Sequence, residues 1–312
     1  MKNAAYWKSH YVNETDPEEI ERNLKRSHFV FEGKEFELLL LESDKNAPNV
    51  LISPGSGGHS YIFAELAYQI RLRGFNVFIM PKHGGYTLPE LMPRHDAALK
   101  HISSHFNDRI GVYGEGLGGY VAFYLALAHG PLKSVICQNS PAITTEPEYL
   151  DAMLEGKGTA QRRKLMLPLI KLLQPVFPKL RLPISSYLDW EELIDTNPEN
   201  KKKEAPLVKQ GYLKDPDFDR WYPLAAIMSL VSTPPPNPLC SLDIPTMFLV
   251  SMRGAVPVRY LNDLYARLPC KKKMVEADGS VYWMLSHPKE AANAICDWFD
   301  ETVQASKRIN DG

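Results

Sequence analysis

The feature of this 312-residue sequence that most restricts its fold is a cluster of glycines, Gly114-Glu115-Gly116-Leu117-Gly118-Gly119, set between two apolar runs. The run into it, RIGVYGEG (109–116), reads as a buried strand, and the run after it, VAFYLALAHG (121–130), as an apolar helix closed by Gly130. A strand that passes into a helix over so few residues must turn sharply. Glycine supplies the backbone freedom and the missing side chain that such a turn demands. Segments of the same two kinds alternate around this point. HFVFEGKEFELLLLES (28–43) reads as a hairpin turning at Glu32-Gly33-Lys34, NVLISPG (49–55), FNVFIMP (75–81) and LKSVICQNS (132–140) as strands, and residues 60–73 and 90–105 as helices.

The texture changes at about residue 143. Stretches of helical spacing follow, broken by Pro168, Pro175, Pro178 and Pro183, with no convincing strand. Alternation resumes with IPTMFLVS (244–251), a helix over 258–267, KKKMVEA (271–277) and a last helix over 288–304; the PPP at 234–236 reads as a linker back to the sheet. The pattern predicts an α/β fold in which residues 1–142 and 223–312 build a mostly parallel sheet flanked by helices, and residues 143–222 form an inserted helical cap.

Hydrophobic content of 44% against 23% charge is enough for a sizeable core, and a net charge of −1 gives no electrostatic reason to expect a nucleic-acid partner. The opening residues lack the apolar stretch of a secretory signal, and no window has the run of apolar residues a spanning helix needs. A cytoplasmic protein is expected. Cys137, Cys240, Cys270 and Cys296 form no CxxC pair and are expected to be buried free thiols; neither a metal nor a cofactor is expected.

With the glycine loop placed, the chain resembles the α/β-hydrolase superfamily, in particular its esterase and monoacylglycerol-lipase or lysophospholipase branch. Four stretches carry the resemblance. Gly114 to Gly118 matches the flanking glycines of the nucleophile elbow G-x-S-x-G. Pro54-Gly55-Ser56-Gly57-Gly58-His59-Ser60 is similar to the HGxGG loop, with proline where histidine is usual, and Pro81-Lys82-His83-Gly84-Gly85-Tyr86 falls where the family has a second glycine loop. Phe248 to Pro257 and Asp278 to Trp283 follow the spacing of the acid and histidine loops.

What the resemblance implies is a serine, an acid and a histidine in that order, because a serine hydroxyl needs an oriented imidazole to remove its proton. The serine position is Gly116. The acid position falls at Gly254 or Arg253, with Asn139 at the alternative site after the sixth strand, and the histidine position is Val281. No histidine lies between His129 and His287, and His287 reads as a surface or capping residue at a helix start. The backbone donors of an oxyanion hole would be Ser56 and Leu117, and Glu115, His59, His83 and Ser140 are candidate polar groups for the pocket. Cys137 reads as core rather than as a relocated nucleophile. Gly114, Gly116 and Gly119 also satisfy the dinucleotide-binding spacing G-x-G-x-x-G, although that fingerprint normally follows the first strand of its unit.

From Lys157 to Arg181 there are seven basic residues and no acidic one, interleaved with leucines and other apolar residues. Such a helix can pack on the core with a solvated basic face, cover an acyl pocket, or rest on an anionic membrane. Tyr187, Trp190, Trp221 and Tyr222 add aromatic surface for a pocket. Three functions fit these observations: a non-hydrolytic protein that binds a small apolar or acyl ligand between core and cap, an enzyme using non-triad chemistry such as a lyase, cyclase or cofactor-free oxygenase, and an esterase or lipase whose site has been emptied artificially.

Overall fold

The computed structural model describes residues 2–155, 158–254 and 256–304. Among the described residues there are ten strands: β1 (Leu24–Phe31), β2 (Lys34–Leu41), β3 (Asn49–Ser53), β4 (Asn76–Ile79), β5 (Ile110–Glu115), β6 (Ser134–Gln138), β7 (Arg181–Pro183), β8 (Trp221–Pro223), β9 (Thr246–Arg253) and β10 (Lys272–Ser280). Eight of them form one sheet in the order β1-β2-β4-β3-β5-β6-β9-β10. The hairpin β1–β2 joins the sheet antiparallel to β4, and from β4 to β10 every neighbour is parallel. Strands β3, β4 and β6 are buried at every residue, which is why they read as continuous apolar runs rather than as alternating ones.

Helices cover the sheet. The crossovers and flanks supply α1 (Ala4–His10), α2 (Pro17–Asn23), α3 (Ala64–Leu72), α4 (Leu88–His105) and α5 (Leu117–Leu127). Thr87 and Glu90 close a capping box at the start of α4. All of α5 is buried, so a helix apolar on every side is the expected solution. Between β6 and β9 the chain forms α6 (Pro147–Leu154), α7 (Thr159–Leu173), α8 (Pro198–Pro206) and α9 (Leu224–Ser229). The strands β7 and β8 also lie here and pair antiparallel, a ribbon that the sequence pattern did not reveal because each strand is three residues long and ends in proline. After β9 come α10 (Val258–Arg267), α11 (Trp283–Ser286) and α12 (Pro288–Phe299).

The amino-terminal helices were also missed. Trp7 is fully buried and donates from Nε1 to the Tyr61 carbonyl at 3.1 Å, and the N–H groups of Asn13, Glu14 and Thr15 all converge on the buried Glu65 carboxylate of α3 at 2.6–2.8 Å. Only the pairing of Trp7 with Tyr11, one helical turn apart, hinted at this in an otherwise polar segment. Of the cysteines, Cys137 and Cys296 are buried as expected, whereas Cys240 is exposed and Cys270 half-buried on the connections flanking β9; all four are free.

Helix α5 lies so close to β3 that a Cβ on Gly118 would stand 1.9 Å from the Ser53 carbonyl oxygen. A backbone carbonyl paired into a central sheet cannot step aside. Gly118→Ala is therefore expected to destabilise the fold by about 2 kcal/mol or more, read as a lowered urea midpoint at unchanged slope. An unchanged midpoint would contradict the packing described.

Candidate functional site

Strand β5 ends at Glu115, the chain reverses at Gly116, and α5 begins at Leu117. Gly116 has φ 54° and ψ −121°, a conformation that strains any residue with a side chain and leaves glycine unstrained. The turn is braced from below. Ser140 Oγ lies 2.5 Å from the Gly116 carbonyl and 2.9 Å from that of Gln138, and the Gly116 N–H donates to Gln138 O at 3.2 Å. A Cβ built on Gly116 would find Gly55 Cα at 3.4 Å and Ser56 N at 3.9 Å, so space for a side chain remains even though none is present.

Above this turn is a cavity of about 120 Å³, partly open to solvent, bounded by the sheet edge on one side and by α6, α7, α9 and the segment 187–193 on the other. Its lining is mostly apolar. Gly116, Ser56, Leu117, Glu115, Ser140 and Val281 all line it. The Ser56 N–H donates to no acceptor among the described residues, and neither does the Leu117 N–H at the first position of its helix. These two amides are the donors a bound oxygen would meet. Beside them the Glu115 carboxyl packs on Gly55, where an added Cβ would lie 2.0 Å from Oε2. Burial pushes its pKa up to about 8, against a smaller opposing contribution from the Gly55 N–H, so near neutral pH it is mostly a protonated acid.

No protein-family profile and no curated protein matches this sequence. Solved structures do match. DcsB, in complex with its substrate analogue, superposes with a TM-score of 0.65 at 15% identity, over 90% of this chain and 99% of that one. The monoacylglycerol lipase of Paleococcus ferrophilus gives 0.60 at 19% identity over 88% and 98%. A soluble variant of the Saccharomyces cerevisiae monoglyceride lipase, with a substrate analogue, gives 0.66 at 13% over 89% and 95%. Together with the strand order, these decide the architecture. The chain has the α/β-hydrolase fold.

In the α/β-hydrolase fold the turn after the fifth strand carries the nucleophile, and here that turn is Gly116. The glycine loop thus follows the fifth strand rather than the first, which is not the place of a dinucleotide fingerprint. On the loop after β9, a Cβ built on Gly254 would stand 3.4 Å from Asn139 Oδ1, and that oxygen accepts from the Ser251 N–H at 2.7 Å. Arg253 turns toward the carbonyls of Glu192 and Ile194. Val281 is buried at the cavity wall, its carbonyl accepting from Gln138 Nε2 at 3.1 Å. The loop before it is pinned by Glu204 of α8, whose carboxylate accepts from the N–H groups of Ser280 and Asp195 at 3.0 and 2.8 Å. His287 sits at the start of α12 with Nδ1 2.9 Å from Ser286 Oγ and does not line the cavity.

His59 and His83 are likewise kept out of the cavity. His59 Nε2 contacts Asp215 Oδ2 at 2.7 Å, and the hydroxyls of Tyr6 and Tyr11 donate to the same oxygen at 2.5 and 2.6 Å. Burial alone would raise the Asp215 carboxyl, but these hydrogen bonds outweigh it and hold the pKa well below the carboxylate range. The cluster ties α1, the loop after β3 and the segment after α8 together. His83 shares Ser53 Oγ with His95, at 3.2 and 2.9 Å. This hydroxyl and its imidazoles are fully buried and absent from the cavity wall. Burial lowers His95 to about 3 and pushes His83 well down, so both rings are neutral and the group serves the packing of α4 on β3. Neither Ser53 nor Asp215 stood out in the sequence, since their partners are tens of residues away.

Tyr187 and Trp190 do line the cavity; Trp221 is exposed, and Tyr222 is buried with its hydroxyl accepting from the Gly57 N–H at 2.7 Å. Cys137 is packed in the core, where burial raises its thiol pKa. The raised Glu115 predicts a pH dependence. An acid with a raised folded-state pKa stabilises the fold fully below its ordinary value of about 4.5, and that contribution is lost as the pH climbs through about 8. Between about pH 6 and about pH 9 the wild-type chain is expected to lose several degrees of melting temperature relative to Glu115→Gln, which cannot ionise. Parallel melting curves for the two proteins would contradict this.

Proposed function

We propose that this chain is a non-hydrolytic α/β-hydrolase-like protein that binds a small apolar or acyl-type ligand between its core and a helical cap at residues 143–222, with the triad positions Gly116, Gly254 and Val281 vacated. One observation carries the reading: the elbow keeps its sharp turn and its two unpaired amides at the floor of an apolar cavity, while its apex bears no side chain. Acyl transfer by the triad route needs a hydroxyl at that apex and an imidazole beside it. Among the described residues no histidine lines the cavity. Amides that polarise a carbonyl do not depend on side chains, so a site built from them still holds an ester, amide or acid oxygen.

A second reading, non-triad enzyme chemistry, is favoured by Glu115. A carboxyl raised to about 8 and placed beside the amide donors is a proton donor suited to work near neutral pH.

The cap has an outer surface of its own. Helix α7 presents Arg163, Met166, Leu167 and Ile170 to the cavity, and Leu165, Leu169 and Leu172 outward, continued by Val176, Phe177 and Leu180. Leu165 is 77% and Leu172 73% exposed, and Lys164, Lys171, Lys179 and Arg181 are exposed alongside. Apolar side chains interleaved with cations fit the headgroup boundary of an anionic bilayer, and we extend the proposal to peripheral membrane contact through this face.

Native mass spectrometry of the protein purified without detergent is expected to show a non-covalent small-molecule adduct, and Gly116→Ser is expected to hydrolyse p-nitrophenyl butyrate no faster than buffer. Turnover by that single variant would show that a base reaches the elbow and would end the reading. Vesicles containing phosphatidylserine are expected to carry the protein on flotation, with binding weakened about tenfold or more by Leu172→Glu combined with Val176→Glu; equal recovery with and without the substitutions would exclude α7 as the contact.

A further inference from the structure

A second cavity, of about 440 Å³, lies between the amino-terminal segment and α8 and shares no lining residue with the one over Gly116. A volume of this order is that of a small-molecule site. One wall is formed by residues 8–13, at the end of α1 and just beyond it, and the other by α8 and the turn that follows it. Both walls are anchored. On the first, the Tyr11 hydroxyl donates to Asp215 Oδ2 at 2.6 Å and Asn13 Nδ2 donates to the Ser286 carbonyl at 2.8 Å. On the second, Asn200 Nδ2 donates to Asp195 Oδ2 at 2.9 Å, and the Glu204 carboxylate holds the N–H groups of Ser280 and Asp195. The space between them is therefore preformed, which lowers the ordering cost of filling it.

The charge of this cavity is one-sided. Lys8 comes from α1, Lys202 and Lys203 come from α8, and among the described residues Glu199 is the one acid that lines it. Neither Lys8 nor Lys202 forms an ion pair among the described residues, and Lys203 reaches Glu14 only at 4.0 Å, an acid that also faces Lys289 at 3.8 Å. His10 lines the cavity as well, with Nδ1 2.8 Å from the Tyr6 carbonyl, so that Nε2 is left without a partner among the described residues. Like charges brought together from two elements so distant in sequence repel one another. A cleft between low-dielectric walls concentrates their field on whatever occupies it, and an anion is the occupant that offsets the repulsion.

The residue types narrow the anion. A planar carboxylate is matched by a guanidinium, and among the described residues no arginine lines this cavity; the lysine ammonium groups are point charges of the kind that bind phosphate. Tyr11 and Leu207, both buried, together with Val12 and Pro206, give the same cavity an apolar part. We propose that this cavity is a binding site for an organic phosphate, its phosphoryl group held by Lys8 and Lys202 across the groove and its organic part packed on Tyr11 and Leu207. The phosphate belongs either to a soluble monoester or to a lipid headgroup. The site is separate from the core and cap cavity and stands whether or not that cavity binds a ligand.

The test is calorimetric titration of the full chain with phenyl phosphate and with benzoate at low ionic strength and about pH 7.5, where a phosphate monoester carries most of its second charge. Phenyl phosphate is expected to bind at one site, about tenfold or more tightly than benzoate, and to lose about tenfold or more in affinity when Lys8→Ser is combined with Lys202→Ser. Both lysines are exposed, so the fold is expected to survive, as circular dichroism checks. Lys34→Ser with Lys45→Ser, which removes the same charge from exposed positions outside the cavity, is expected to leave the affinity unchanged. No binding of phenyl phosphate, an equal affinity for benzoate, or an equal loss in the second pair of substitutions each overturns the assignment. Binding of a hexaglutamate peptide with phenyl phosphate inert also overturns it, by making the groove a docking site for acidic chains. Where phenyl phosphate binds as expected, vesicles containing phosphatidic acid separate the two sources: flotation lost in the Lys8 and Lys202 double variant, with α7 unaltered, supports the site with a lipid headgroup as its ligand, and flotation unchanged supports it with a soluble monoester.

Discussion

The close approach of α5 to β3 and β5 is the constraint from which the site follows. Gly118 lies against the Ser53 carbonyl, Gly116 turns through positive φ, and Ser140 holds the Gly116 carbonyl from beneath. With these contacts in place the first N–H of α5 and the N–H of Ser56 have fixed positions at the cavity floor. A strained turn of this kind persists only where the surroundings over-determine it. In this chain glycine at the apex removes the strain, so the geometry is kept without the cost that a side chain would add there.

Electrostatics divides the molecule's buried polar groups into those that face the cavity and those that hold it together. The His59–Asp215–tyrosine cluster and the Ser53–His83–His95 group are hydrogen-bonded groups away from the cavity wall. They join elements that the sheet alone does not join: the amino terminus and the segment after α8 in one case, α4 and β3 in the other. Glu204 does the same for the loop before Val281. Glu115 and Tyr187 differ, because both are half-buried residues that line the cavity.

The sheet was legible because its central strands are covered on both faces and its crossovers are amphipathic or wholly apolar helices, so local pattern and global fold agree. The hairpin at Glu32-Gly33 is an example: two residues with φ of 50° and 72° between strands of matching length. The glycine turn was legible for the same reason, since three requirements of close packing fall within six residues. What escaped notice depends on contacts distant in sequence. The buried cluster at Asp215 draws on residues more than 150 positions apart, and the place of Arg163 at the cavity wall, within a run that reads as a solvated basic face, depends on elements outside its own helix. The β7–β8 ribbon is too short to leave a period.

The proposed function requires that the floor of this cavity bind without attacking. Incubation with an alkyl fluorophosphonate followed by intact-mass measurement checks this, since the reagent is apolar enough to enter the cavity and reports any activated hydroxyl there. An unmodified mass after prolonged exposure is expected. A stoichiometric phosphonyl adduct on a residue lining the cavity would contradict it.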